Sequence, residues 1–131
     1  MSRENVELVI ASQQEFQETL RATSYAAADF VWDVSTLEVW PDAQQYFGPE
    51  GFNEFIAKWT EAYEEFEQHV EDVIDGGDHD VVAILHQRAR PRGSQSWVDL
   101  RFAVAWTVAD GQLKRGRVFR TAEEALAAVG L

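Results

Sequence analysis

Ser96–Val108, which reads S-W-V-D-L-R-F-A-V-A-W-T-V, carries the strictest alternation in the chain. Val98, Leu100, Phe102, Val104, Trp106 and Val108 are apolar, whereas Trp97, Asp99, Arg101, Ala103, Ala105 and Thr107 are mostly polar or small. Successive side chains of a strand point to opposite faces, so the pattern predicts a strand over 96–108 with one face turned to a core or cavity. A strand so apolar on one side needs covering elements, and its neighbours in the sequence supply them.

Turn chemistry at Asp75-Gly76-Gly77-Asp78, Pro91-Arg92-Gly93-Ser94 and Ala109-Asp110-Gly111 separates strands predicted near 67–75, 79–90, 96–108 and 112–120. Three short connections in succession make an antiparallel meander. Thr121 with Glu124 forms a capping box for a last short helix, Ala122 to Val129, ended by Gly130.

Before the meander, Val6, Val9, Ile10, Gln13, Phe16 and Leu20 follow the spacing of a helical face, with Ser2 as a cap. Thr23 to Asp29 reads as a second, short helical stretch, and Phe30 to Val34 as a short strand. Ser35 to Gly48 lacks a period and contains Trp40-Pro41-Asp42, which predicts an ordered loop over an opening. Pro49 and Glu50 suit a helix start, and Phe52, Phe55, Ile56, Trp59, Tyr63 and Phe66 extend one apolar stripe from it. Helices followed by a curved antiparallel sheet predict an α+β cone: the sheet wraps around N-terminal helices, with an apolar cavity between. Residues 1–131 read as one domain.

The composition excludes several functions. A net charge of −12 opposes binding to nucleic acid or an anionic membrane surface. No run of 18 apolar residues is present and the first residues lack a signal-peptide core, so a soluble, cytoplasmic protein is expected. The absence of Cys removes disulfides and thiolate chemistry. His69, His79 and His86 share no ligand spacing, so neither a metal site nor another cofactor is expected.

Ser2-Arg3-Glu4-Asn5-Val6-Glu7, Trp32-Asp33, Gly48-Pro49-Glu50-Gly51, Asp75-x-x-Asp78, Phe102-x-x-x-Trp106-Thr107 and Glu124-Ala125-Leu126-x-x-x-Gly130-Leu131 stand in this order along the whole chain. Together they resemble the SnoaL-like (polyketide cyclase-like) branch of the nuclear-transport-factor-2-like superfamily. The resemblance implies a cone with a deep apolar pocket and a homodimer through the outer sheet face. That superfamily includes ketosteroid isomerase, scytalone dehydratase, limonene epoxide hydrolase and polyketide cyclases beside non-enzymatic binders, so fold does not settle function.

The resemblance places Asp33 at the general base of isomerase-like relatives; in an apolar pocket its pKa would rise and it could abstract a C–H proton or activate water. Gln13 stands where such relatives often have Tyr, and its amide can donate to an oxyanion. Val104 and Val118 occupy positions where relatives carry an acid or His, which makes the pocket drier than an enzyme's. His86 and Arg88 share parity with Val82 and Ile84. Facing inward they would supply a base and an anion clamp; facing outward they mark an exposed strand end.

Trp32, Tyr46, Trp59, Phe102 and Trp106 are expected around the cavity, where they would suit a flat apolar ligand or simply fill the core. Gly116 either enlarges the cavity or marks a bulge. Ala103 and Ala105, with Trp97 and Thr107, suggest a flat outer face for a second copy. The leading expectation is a protein that binds a hydrophobic small molecule. The alternatives are a cofactor-free isomerase, cyclase or hydratase using Asp33 with Gln13 or His86, and a non-catalytic dimeric interaction module.

Overall fold

The computed structural model describes residues 2–36 and 45–131. In chain order the elements are α1 (Ser2–Thr19), β1 (Ala26–Asp33), β2 (Gln45–Phe47), α2 (Gly48–Glu61), β3 (Tyr63–Asp75), β4 (Asp80–Pro91), β5 (Val98–Ala109), β6 (Gln112–Phe119) and α3 (Ala122–Ala128). The strands form one sheet in the order β2-β1-β6-β5-β4-β3. β3 to β6 make the expected meander, but β1 joins β6 in parallel, so the sheet is mixed. α1 and α2 lie on its concave side, and the α+β cone predicted from the sequence is the observed architecture.

Two segments differ from expectation. The Ala-rich stretch from Thr23 to Asp29 is no helix; it contains the start of β1, where Ala26 pairs with Leu113 and the Leu113 N–H donates to the Tyr25 carbonyl at 2.8 Å. Seven residues, of which only the three Ala are good helix formers, cannot repay helix nucleation, and a waiting β6 edge supplies backbone partners instead. The predicted loop contains β2 at Gln45–Phe47, antiparallel to β1, while 37–44 lie outside the described residues.

The apolar stripe of α2 stops at Trp59. Tyr63 and Phe66 belong to β3, paired with Pro91 and Ala89. Their three-residue spacing imitates a helical turn because the β3–β4 register shifts between Tyr63 and Glu65. A second shift, between Val70 and Asp72, brings Val70 and Val73 onto the main core in the same way. An extra residue on one strand changes the side-chain parity and bends the strand, so the false helical period and the curvature of the sheet have one cause.

β5 keeps its predicted alternation, but its inward face is covered only in part. Val104 and Val108 are fully buried and Trp106 is 5% exposed, while Val98 and Leu100 at the open end are 49% and 40% exposed. Its other face is not free. Ala103 and Ala105 are buried with Val82 beneath Ala125 of α3, so these small residues seat the C-terminal helix and offer no flat surface there to a second copy. Thr121 caps α3, its hydroxyl accepting from the Glu124 N–H at 3.1 Å.

Gly116 has neither expected role. A Cβ built on it would stand 2.7 Å from two atoms of the Trp32 ring and 2.8 Å from Trp106, so its missing side chain is the space that the two indoles occupy. Those rings have centroids 5.6 Å apart, on strands either side of β6.

Asp33, at the end of β1, ties the parallel junction together. Its carboxylate accepts from the Ser35 N–H (2.9 Å), the Ser35 hydroxyl (2.6 Å), Gln45 Nε2 (3.3 Å) and Arg115 Nη2 (3.0 Å). Burial pushes its pKa up, yet the two Ser35 bonds, Arg115 and Gln45 outweigh burial and hold it below the ordinary 3.8.

Two outcomes follow from this packing. Gly116→Ala should lower stability by about 1–3 kcal/mol through overpacking, read as a fall in the urea midpoint with unchanged slope. Asp33→Asn should cost about 1–3 kcal/mol near neutral pH through its lost charged hydrogen bonds. A carboxylate depressed in the folded state stabilises above its unfolded pKa and loses that contribution as pH falls through the folded value. The gap between wild type and Asp33→Asn should therefore be constant above about pH 5 and close below about pH 4, as checked by urea melts across that range.

Candidate functional site

Between the helices and the concave face of the sheet lies a cavity of about 410 Å³, within the range typical of small-molecule sites. α1 contributes Ser12, Gln13 and Phe16 to its wall, and α2 contributes Phe52, Phe55, Ile56 and Trp59. The sheet adds Phe30 and Trp32 from β1, Tyr63, Phe66 and Gln68 from β3, Leu85 and Gln87 from β4, Phe102 and Trp106 from β5, and Val118 from β6. On β1, β4 and β6 these side chains point to the concave face, while the residues before and after them point away.

Aromatic contacts build the apolar wall. Phe30 stacks on Trp106 at 6.1 Å and on Trp32 at 6.4 Å, and Phe52 meets Trp32 edge-on at 5.0 Å. Phe55 stacks on Trp59 at 5.8 Å. Such offset and edge contacts fix the rings against one another, which keeps the space open instead of letting one side chain fall into it.

The polar groups are few. Ser12 and Thr23 share a hydrogen bond between hydroxyls at 2.7 Å, Gln68 Nε2 donates to Gln13 Oε1 at 3.2 Å, and the Trp59 indole N–H donates to Gln87 Oε1 at 2.9 Å. Gln13 and Gln87 are 5% and 3% exposed. Lys58, Arg101 and Arg120 stand at the rim, and no carboxylate or imidazole lines the cavity among the described residues.

Of the residues singled out from the sequence, Gln13, Trp32, Trp59, Phe102, Trp106 and Val118 line this cavity. Tyr46, Val104 and Gly116 do not. Tyr46 packs on Phe55 at 5.3 Å, Val104 is sealed in the core, and Gly116 lies beneath the two indoles. Asp33 also lies outside: Trp32 takes the inward position, and the neighbouring carboxylate meets Arg115 on the other face. The raised pKa expected of a pocket carboxylate is replaced by a lowered one.

His86 and Arg88 alternate with the inward Leu85 and Gln87 and so face away from the cavity. His86 Nε2 lies 2.8 Å from Asp99 Oδ1. Arg88 is 3.5 Å from Glu67, 3.8 Å from Asp99, and stacks over the Trp97 ring at 4.5 Å. Its charge is engaged on the outer surface, not as an anion clamp. Gln87, between them, is a wall residue that sequence reasoning missed, as are Ser12 and Gln68. Val81, Val82 and Ala83 are all fully buried, so the apolar run leading to Gln87 has no alternation from which parity could be read.

Among the described residues no group of three His, Cys, Asp or Glu could hold a metal ion, and no helix is long and apolar enough to cross a membrane.

Comparison with known proteins places this geometry. No curated protein sequence matches the chain. Solved structures similar to it include TerC co-crystallised with polyporic acid (19% identity, 98% of this chain and 99% of that one, TM-score 0.74). A protein of ketosteroid isomerase-like fold from Catenulispora acidiphila in complex with trimethylamine matches at 15% identity, over 95% and 93% of the two chains, with a TM-score of 0.67. A SnoaL-like polyketide cyclase from a Jannaschia species matches at 22%, over 98% and 92%, with a TM-score of 0.68. At these identities the likeness concerns the fold. The profile of the SnoaL-like domain matches residues 17–116, from the last turn of α1 to the Gly116 that seats the two indoles, and the chain belongs to that family.

Proposed function

We propose that this protein binds an apolar, ring-containing small molecule in the cavity between its helices and sheet. The observation that carries the reading is the 410 Å³ of space walled by aromatic side chains that already have partners in one another. Similar structures hold small compounds, polyporic acid in one and trimethylamine in another, which supports the use of this scaffold as a container. Apolar burial of a two- or three-ring compound supplies the affinity, and the few wall amides orient it.

Acid–base catalysis has less support. Of the three candidates only Gln13 lines the cavity, and an uncharged carboxamide neither takes nor releases a proton near neutral pH. Asp33 lies outside it, its pKa held low by Ser35, Arg115 and Gln45, and His86 is held by Asp99.

For the homodimer, we assign the part of the outer sheet face that α3 leaves uncovered, around Trp97 and Arg88. Size-exclusion chromatography with light scattering should give twice the 14.9 kDa chain mass, and Trp97→Glu should return it to the single-chain mass.

The binding reading predicts saturable, one-to-one fluorescence enhancement of the neutral probe N-phenyl-1-naphthylamine at micromolar protein. Val118→Phe, which places a ring into the cavity, should weaken it at least tenfold while circular dichroism still reports a cooperative fold. Unsaturable binding, or binding unaffected by Val118→Phe, would refute the cavity as the site.

A further inference from the structure

One amide of the wall is fixed in its orientation, and this says something about the ligand. An indole N–H can only donate. The bond from Trp59 therefore fixes the Gln87 amide with its oxygen towards Trp59 and its NH₂ group turned away. That NH₂ has no hydrogen-bond partner among the described residues. It is not sealed off either, since the sealed, unpartnered nitrogens are Trp32 Nε1, Trp106 Nε1, Arg115 Nε and Arg117 Nε. A side chain that is 3% exposed thus holds a free two-proton donor at the cavity wall.

The charges at the rim have the same sign. Lys58 is 3.6 Å from Glu54 and Arg101 is 3.1 Å from Glu71. Arg120 has no ion-pair partner among the described residues. It continues the inward parity of Val118 and stands just beyond Phe119, whose β5 partner is Ala103, so it lies across from Phe102. Gln87 is paired with Leu100, two residues along β5 from Phe102 on the same inward face. Strand spacing puts the Gln87 and Arg120 Cα atoms roughly 12 Å apart, at one end of the cavity. Despite 23 Asp and Glu in the sequence, no described carboxylate lines the cavity to compete for either group.

We infer that the ligand is an apolar acid: a ring body seated among the aromatics, with one anionic oxygen group, a carboxylate or an acidic enol, turned to Gln87 and Arg120. This inference rests on the binding reading above and adds the ligand's charge. A neutral hydrocarbon would leave the amide donor buried and unsatisfied, and a cation would meet Arg120 with like charge. An oxygen anion accepts from the NH₂ and neutralises the guanidinium in one placement.

The test uses three probes with one ring system and one variable group: 2-naphthoate, 2-naphthalenemethanol and 2-naphthylmethylammonium, titrated by tryptophan quenching at neutral pH. Naphthoate should bind at least tenfold tighter than the alcohol, and the ammonium compound weakest. Gln87→Glu keeps the oxygen that Trp59 needs but replaces the donor with a negative charge. It should weaken naphthoate at least thirtyfold and reverse the order of the two charged probes. Arg120→Gln, at an exposed rim position that the fold does not depend on, should weaken naphthoate about tenfold and leave the alcohol within threefold. Equal affinity for naphthoate and the alcohol, or an order unchanged in both variants, overturns the inference while the binding reading stands. Failure of all three probes to bind overturns both.

Discussion

The contact on which the rest of this structure depends is that of Trp32 and Trp106 across Gly116. Three adjacent strands, β1, β6 and β5, meet there, and β1–β6 is the parallel pairing that turns a meander into a cone. Any side chain on β6 at that point would hold the indoles apart. The arrangement costs something: both indole N–H groups are sealed without a partner among the described residues, about 1–3 kcal/mol each. Burying two rings of about 200 Å² apiece returns roughly 5 kcal/mol each, so packing wins. The same contact fixes one wall of the cavity, because Phe30 and Phe52 lean on these rings.

The outer face of the sheet serves the inner one. α3 covers Ala103 and Ala105, so the central strands are buried on both sides at their middle. Near β1 and β6 a charged clamp replaces a helix: Asp33 gathers Ser35, Gln45 and Arg115 from three segments. Its ionised state is a product of that clamp, which makes Asp33 a support for the junction on which Trp32 sits. Farther along, Glu67, Arg88, Asp99 and His86 form a surface network whose charges are spent on one another. An acidic chain can in this way keep its carboxylates outside and leave the interior dry.

The sequence shows the central feature of this fold plainly and hides others for identifiable reasons. The alternation of β5 is legible because one face meets a core and the other meets small or polar neighbours. Tyr63 and Phe66 mislead because a register shift on β3 turns a period of two into a step of three, the spacing of a helix. The Ala run before Phe30 misleads because propensity is a weak preference that a free strand edge overrides. For the site, the aromatic wall was legible from the sequence at Trp32, Trp59, Phe102 and Trp106. The facing of Gln87 and His86 was not, since the fully buried run before them carries no parity signal.

Electrostatics at two ranges separate what this scaffold shares with its relatives from what belongs to this chain. The net charge of −12 produces a field that repels anions at a distance, but at physiological salt it is screened beyond about 8 Å. Beside an apolar wall the effective dielectric is lower than in water, and the buried Gln87 NH₂ acts more strongly there than the same group would in solution. On the proposed reading, local donors decide which ligand stays, while the distant acidic surface affects chiefly how fast it arrives. Solved structures of under 25% identity share the fold. In this chain the inward polar positions hold amides and hydroxyls where a general base would be required for acid–base chemistry.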